Sequence, residues 1–538
     1  MLATVTRSVS EGERFKTLCG HIHSASARPR LRFGLLLLLL PSLVSAEDWP
    51  QFRGPNCSGV STSKKPLLTE FSATQNVAWS AEVGDGIGSA TVAGGRVFTS
   101  GMVGSKPEEL KFVVSCFDTA TGKSLWKREY DPGKETLPTI TDPNSYASST
   151  PAADAERVYV YFTRLGLTAL DAKTGETVWK RDIPEPFFIF DWGAGMSPVL
   201  FEDKVIFCQD DDLSPAIYAF DRKTGEQVWK DDRSDMAVSY SHPVAVETKS
   251  GHELVVAGTG KLIGYDPQTG KRKWSAALFC RNIKTTPVSH EGIVYTSVES
   301  FGISYQWRAT ADTNADGKVT REEIQQSRKQ KDTPIPDAFW KKFERGDVNK
   351  DGVLEGDEID KAFLDPMNQG GLSAKDSQAR AGDEKDWKKF DAESQKEASI
   401  QAVRGGGSGD VTKTHLLWKK VNKAPDHVVS PLVANGRITL IKGGGFSTGF
   451  NVTNGETLWQ RQRIGNEGGY LASPVYGDGK IYVAGQNGIV VVIEDGPKPK
   501  TLATNDMGEA VIGTPAIADG RIFLRTRTKL VCIAKEPS

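Results

Sequence analysis

An all-β fold of repeated four-stranded units, an eight-bladed β-propeller with a small α-helical insertion in blade 5, is what this 538-residue sequence predicts. Three observations carry the prediction. A phrase D-x-x-T-G-x-x-x-W recurs, ending at Trp126, Trp179, Trp229 and Trp274, with a relaxed copy N-V-T-N-G-E-T-L-W ending at Trp459. Neighbouring copies lie about 40 to 50 residues apart, the length of a four-stranded blade. The interval from Trp274 to Trp418 is about three such lengths, and it holds two acidic loops with the same spacing of oxygen-bearing residues.

The elements follow in chain order. Residues 1–46 have the form of a secretory signal: Arg28, Arg30 and Arg32 precede the apolar run Phe33 to Leu40, and Val44-Ser45-Ala46 offers small residues for cleavage. The apolar run is too short to remain as a membrane span. The basic stretch before it is long, which leaves room for a start downstream of Met1. Export to the periplasm or medium is therefore expected, with no transmembrane span after cleavage. The remaining cysteines, Cys57, Cys116, Cys208, Cys280 and Cys532, are odd in number and assign no disulfide.

Residues 47–299 and 399–538 carry the repeat. Each copy opens on Ser/Thr-Pro or a variant: Ser89-Ala90-Thr91, Thr150-Pro151, Ser197-Pro198, His242-Pro243, Thr286-Pro287, Ser430-Pro431, Ser473-Pro474 and Thr514-Pro515. A tight turn such as Asn435-Gly436 or Asp478-Gly479 follows, then an alternating strand such as Val158 to Tyr161. A third strand ends in a polar residue, and the T-G turn leads to the strand bearing the Trp. The seventh copy has Leu502 in the Trp slot. Trp79 precedes the first opening and the last copy stops after Val531-Cys532-Ile533, so the strand around Trp79 is expected to complete the last blade. The Trp series reads as packing between blades. Cys116 and Cys532 fall in a third-strand slot that is small in most copies, and read as small core residues.

Residues 300–398 are surplus to the repeat. They lie between a second strand, Ile293 to Val298, and a third, Ile400 to Arg404, in the fifth copy. The two acidic loops match the EF-hand pattern, which needs oxygens at positions 1, 3, 5, 7, 9 and 12 and glycine at 6. The first offers Asp312, Asn314, Asp316, the Lys318 carbonyl, Thr320 and Glu323 around Gly317. The second offers Asp347, Asn349, Asp351, the Val353 carbonyl, Glu355 and Glu358 around Gly352. Two calcium ions are expected. Helices are expected over Tyr305–Ala311, Thr320–Lys331, Pro336–Arg345 and Asp357–Leu364, with Val319 and Leu354 pairing the loops. Dockerin modules also duplicate calcium loops, but Glu at position 12 and the long intervening helix favour the EF-hand. The polar stretch Met367 to Gln395 contains Trp387-Lys388-Lys389-Phe390, an echo of Trp340 to Phe343, with no third loop after it.

The repeat resembles the eight-bladed quinoprotein-like, or PQQ-like, propellers. Asp48-Trp49-Pro50-Gln51-Phe52-Arg53-Gly54-Pro55-Asn56 and Gly409 to Trp418 are similar to those of an exported bacterial subgroup. The resemblance implies one of two functions. Quinoprotein alcohol dehydrogenases hold pyrroloquinoline quinone with a vicinal disulfide, a stacking Trp, a calcium and a catalytic Asp. The propeller subunit of the bacterial outer-membrane assembly machinery binds protein partners and catalyses nothing. This chain has no adjacent cysteines and no Cys-x-x-Cys-His, so the quinone enzyme is the alternative and a non-catalytic binding scaffold is the expectation.

Other chemistry is sparse. The formal charge of -1 and the lack of a Lys/Arg block point away from nucleic acid. No H-E-x-x-H or G-x-S-x-G occurs. Asp210-Asp211-Asp212 reads as a solvated acidic turn, His242 as a hydrogen-bonded structural histidine, and Gly405 to Gly407 and Gly443 to Gly445 as turns. The long connections place Phe187, Phe188, Phe190, Trp192, Arg281, His427, Glu467 and Tyr470 on one face. That face is the expected surface for a protein or small-ligand partner of a monomer.

Overall fold

The computed structural model describes residues 47–535, apart from 134–136, 237, 279–282, 299–302, 364–398 and 422–427. Eight antiparallel sheets follow one another along the chain. Blade 1 is typical, with strands Thr91–Ala93, Arg96–Val103, Lys111–Asp118 and Ser124–Tyr130 in that order. Blade 7 ends in Lys500–Asp506, the strand that carries Leu502 in place of Trp. Blade 8 has three late strands, Ala516–Ala518, Arg521–Arg525 and Lys529–Ile533, and takes its fourth from Val77–Glu82. Trp79 pairs with Cys532 there, so the ring closes as expected and the last blade has no missing strand.

The T-G turn and the Trp are two halves of one contact. Asp118 caps the turn, accepting from the N–H groups of Ala120 (3.1 Å) and Thr121 (2.8 Å). The indole N–H of one blade then reaches the turn of the next. Trp79 donates to Thr119 O, Trp126 to Ala172 O, Trp179 to Arg222 O and Trp418 to Val452 O, all at 3.1 Å, and Trp229 donates to Pro267 O at 2.9 Å. Each ring covers the turn glycine, where a Cβ on Gly122, Gly175, Gly225, Gly270 or Gly455 would lie 2.4–2.6 Å from the indole. Trp274 and Trp459 precede blades without a T-G turn. Both turn inward instead, donating to Glu253 Oε2 and Ser447 Oγ at 2.8 Å and lying on Gly264 and Gly449 of their own sheets. The third-strand slot is therefore glycine under an inward Trp, and alanine or cysteine under an outward one.

The Ser/Thr openings form an inner ring. At six of the eight openings the backbone N–H donates to the hydroxyl on the next blade: Ser89 to Thr150 (2.9 Å), Thr150 to Ser197 (3.1 Å), His242 to Thr286 (3.3 Å), Thr286 to Ser430 (2.9 Å), Ser430 to Ser473 (3.1 Å) and Ser473 to Thr514 (3.0 Å). With the four strands of a blade lettered A to D in order, consecutive antiparallel pairing sends the A–B and C–D turns to one face and the D–A and B–C connections to the other. On the first face the N-terminal segment runs round the axis. Pro50 O accepts from Ala153 N, Gln51 Oε1 from Leu200 N, Asn56 Oδ1 from Ala245 N, and Tyr476 O from Ser61 N. Arg53, Gly54, Asn56 and Cys57 all have positive φ in making that turn.

Between the second and third strands of blade 5, Ile293–Val298 and Ser399–Arg404, lie four short helices. They are α1 (Ile303–Ala311), α2 (Arg321–Ser327), α3 (Asp337–Gly346) and α4 (Asp357–Phe363). Helix α2 ends four residues short of the expected Lys331, because Arg328 adopts an extended conformation (φ -77°, ψ 150°). Blade 4 gains a fifth strand, Gly409–Asp410, which runs parallel to Arg272–Ala277 and covers its edge.

Candidate functional site

The two acidic loops share one backbone shape. Position 4 is left-handed in both (Ala315 φ 61°, Lys350 φ 60°), as is the position 6 glycine (Gly317 φ 85°, Gly352 φ 84°). Val319 pairs with Leu354 in a two-residue antiparallel ladder, joining the loops at position 8. Asp312 Oδ2 accepts from Gly317 N at 2.9 Å, and Asp347 Oδ2 accepts from Gly352 N at 3.0 Å. Asn314 Oδ1 accepts from Asp316 N (2.8 Å), and Asn349 Oδ1 from Asp351 N (3.0 Å). Glu323 accepts from Thr320 N at 3.0 Å and caps α2; Glu358 accepts from Val348 N at 3.0 Å. Lys318 bridges the loops through Glu355 Oε2 at 2.7 Å.

Among the described residues no three His, Cys, Asp or Glu side chains converge on one point. The loops draw instead on a mixed set of carboxylate, amide, hydroxyl and backbone carbonyl oxygens. That set suits a large, hard, oxygen-seeking cation and no thiophilic one.

The helices share a core of Trp307, Ile324, Phe339, Phe343, Leu354, Ile359 and Phe363, with Trp307 stacked on Phe363 at 3.7 Å and 11°. This core does not end at the insertion. It continues into Ile189 and Phe190, on the connection from blade 2 to blade 3.

Asp211 and Asp212 hold that connection in place, and with Asp210 they are buried rather than solvated. Asp210 forms a two-point pair with Arg233 at 2.7 and 2.8 Å. Asp211 Oδ2 accepts from Phe187 N, and Asp212 Oδ2 from Ile189 N, both at 2.9 Å. Burial pushes the Asp211 carboxyl up to about 6 against three backbone N–H bonds that pull it down. The expected solvated acidic turn is therefore a buried one, because loop N–H groups and Arg233 take the place of water around the three carboxylates.

The same connection forms part of the rim of an axial funnel of about 390 Å³, to which all eight blades contribute. Phe52 of the N-terminal segment lines it and stacks on His242 at 4.5 Å. His242 Nδ1 bonds Thr286 Oγ1 at 2.9 Å; burial, then the Arg53 charge, lowers its pKa to about 3, so the ring is neutral. Trp192 lines the mouth, and Lys284 Nζ lies 5.7 Å from its ring.

The other face residues divide. Phe188 and Phe190 turn inward from the connection and are buried, and Glu467 is exposed and paired with Arg463. Tyr470, expected on the partner surface, is only 2% exposed and donates to Asn466 O at 2.9 Å, so it is a packing residue. Arg281, His427, Cys280 and the Met367–Gln395 stretch with its Trp387 echo lie outside the described residues, as do residues 1–46. Cys57, Cys116, Cys208 and Cys532 are buried and unbridged, and burial pushes the thiols of Cys57, Cys116 and Cys532 up to about 12. Among the described residues, no helix is long and apolar enough to cross a membrane.

A sequence model of the family described as outer membrane protein assembly factor BamB matches residues 110–338 and 388–533. The chain belongs to this PQQ-like propeller family. Within the PQQ-like fold, BamB from Moraxella catarrhalis is similar over 86% of this chain and 98% of its own, at 13% identity and a TM-score of 0.47. A europium-containing methanol dehydrogenase covers 89% of each chain at 11% identity and a TM-score of 0.44. Quinohemoprotein alcohol dehydrogenase from Comamonas testosteroni covers 91% of this chain and 82% of its own at 13% identity and a TM-score of 0.44. No curated protein matches the sequence significantly.

Proposed function

We propose that this protein is an exported, non-catalytic PQQ-like propeller that binds two calcium ions in an EF-hand pair. In this reading residues 1–46 are the signal and residues 300–398 the EF-hand insertion. The D–A and B–C face, with the axial funnel at its centre, receives a protein or small ligand. The observation that carries the calcium reading is the duplicated loop: two copies with the same left-handed positions, the same Asp-to-glycine bond and a shared ladder at position 8. Calcium would be held by Asp312, Asn314, Asp316, the Lys318 carbonyl, Thr320 and Glu323, and by Asp347, Asn349, Asp351, the Val353 carbonyl, Glu355 and Glu358. It would supply charge neutralisation and order. Outside the cytosol calcium is abundant, so a structural role is favoured over a switch that empties and fills.

The scaffold reading is supported by membership of a family described as an outer membrane protein assembly factor and by the absence from the sequence of adjacent cysteines. Isothermal titration of the chelated protein with calcium is expected to give two sites that Glu323→Gln and Glu358→Gln weaken one at a time. A flat titration refutes the calcium reading. Pyrroloquinoline quinone retained through gel filtration, read by its absorbance, would overturn the non-catalytic reading.

A further inference from the structure

EF-hand pairs recognise targets through the apolar surface of the helices that flank their loops. Here that surface is covered by the propeller's own chain. Phe190 lies 4.9 Å from Trp307, Phe187 lies 6.1 Å from Phe339, and Ile189 shares their cluster. These three residues belong to the blade 2 to blade 3 connection, whereas α1 to α4 are rooted in blade 5.

A polar grip accompanies the apolar one. Asp191 has a left-handed φ of 54°, and it and Arg328 are each 2% exposed in their side chains. Its carboxylate accepts from Arg328 Nη2 (3.3 Å), Lys329 N (2.9 Å), Gln330 N (3.3 Å) and Gln330 Nε2 (3.1 Å). Those three residues follow α2 directly. Helix α2 begins on Thr320 and Glu323, positions 9 and 12 of the first loop. The residue after Asp191 is Trp192, at the funnel mouth, and its carbonyl accepts from Asn144 Nδ2 at 2.6 Å. One short helix therefore separates the first loop from the carboxylate that fixes the funnel rim.

We propose that Phe187–Trp192 is the intramolecular target of the EF-hand pair, and that calcium in the first loop sets the position of Trp192 at the funnel mouth. This rests on the calcium reading above. Asp312, Asp316 and Glu323 carry like charges, which calcium would neutralise while fixing Glu323 and the first turn of α2. The turn then presents Arg328 to Gln330 in the register Asp191 needs. The second loop acts on the same target through the core, since α4 ends on Phe363 against Trp307. Linkage makes the coupling reciprocal: whatever docking gains from calcium, calcium affinity gains from docking.

The test uses the full-length protein labelled with 5-fluorotryptophan, in which the ¹⁹F resonance missing from Trp192→Phe identifies Trp192. Terbium luminescence reports loop occupancy independently. In the wild type, calcium is expected to shift the Trp192 resonance relative to chelated protein. Glu323→Gln should abolish that shift while the second loop still fills. Asp191→Ala and Arg328→Met should each abolish it while both loops still fill, with first-loop affinity lowered about fivefold or more. A Trp192 resonance indifferent to calcium when terbium reports filled loops overturns the coupling and leaves the calcium reading standing. So does an unchanged calcium response in Asp191→Ala or Arg328→Met. No terbium signal overturns the calcium reading and the coupling together.

Discussion

Gly175→Ala tests the claim that the repeat is written for contacts between blades. Gly175 sits in the T-G turn of blade 2 at φ +72°, and a Cβ there would lie 2.6 Å from Cδ2 of Trp126 on blade 1. The left-handed backbone alone costs an alanine about 1–2 kcal/mol. The clash adds an overpacking cost of about 1–3 kcal/mol. Displacing the indole also weakens its 3.1 Å bond to Ala172 O, worth about 0.5–1.5 kcal/mol. Gly436 supplies the control, since it has φ +73° in an A–B turn with no atom within 4 Å of an added Cβ. Gly436→Ala should therefore show only the backbone cost. In urea denaturation, Gly175→Ala is expected to lose about 1–4 kcal/mol more than Gly436→Ala. Equal losses would refute the contact between blades and leave the glycine explained by turn geometry alone.

Three further outcomes follow from the same structure. Asp211 has a folded pKa of about 6, raised by burial above the ordinary carboxyl value, so its contribution to stability is full at acid pH and is lost as pH rises through about 6. Asp211→Asn should flatten the fall in stability between about pH 4 and 7, and an unchanged slope contradicts the assignment. Tyr470→Ala should destabilise blade 7 by about 3–5 kcal/mol through lost packing, whereas Trp192→Ala should leave the melting of the ring nearly unchanged. Calorimetry on the two variants separates a core residue from a rim residue. Breaking the buried pair by Asp210→Ala should cost about 3–5 kcal/mol in urea denaturation, because Arg233 stays buried with only its bond to Tyr265, and a loss under about 1 kcal/mol would contradict this.

The ring was legible because its contacts repeat. The Trp, the T-G glycine and the Ser/Thr opening each serve one contact made again in most blades, so the pattern could be counted and the closure through Trp79 inferred. The place of the insertion was legible for the same reason, since strands Ile293–Val298 and Ser399–Arg404 still match their neighbours. Contacts made once were not legible. Asp191 and Arg328 are 137 residues apart, and nothing local in Phe187 to Trp192 names the insertion as its partner. Asp210 to Asp212 look solvated in sequence, because their charge is visible there and the groups that face it are not. Tyr470 looks like a surface residue in sequence, but its loop folds the ring inward. The Asp48–Asn56 segment was recognised only as a likeness, because its role depends on reaching backbone groups on several blades at once.

Native mass spectrometry of the intact protein, chelated and then returned to calcium, tests the central claim most directly. The account predicts two calcium ions on the wild type, one on Glu323→Gln, one on Glu358→Gln and none on the double variant. A wild type that binds no calcium, or a double variant that still carries two ions, would contradict it.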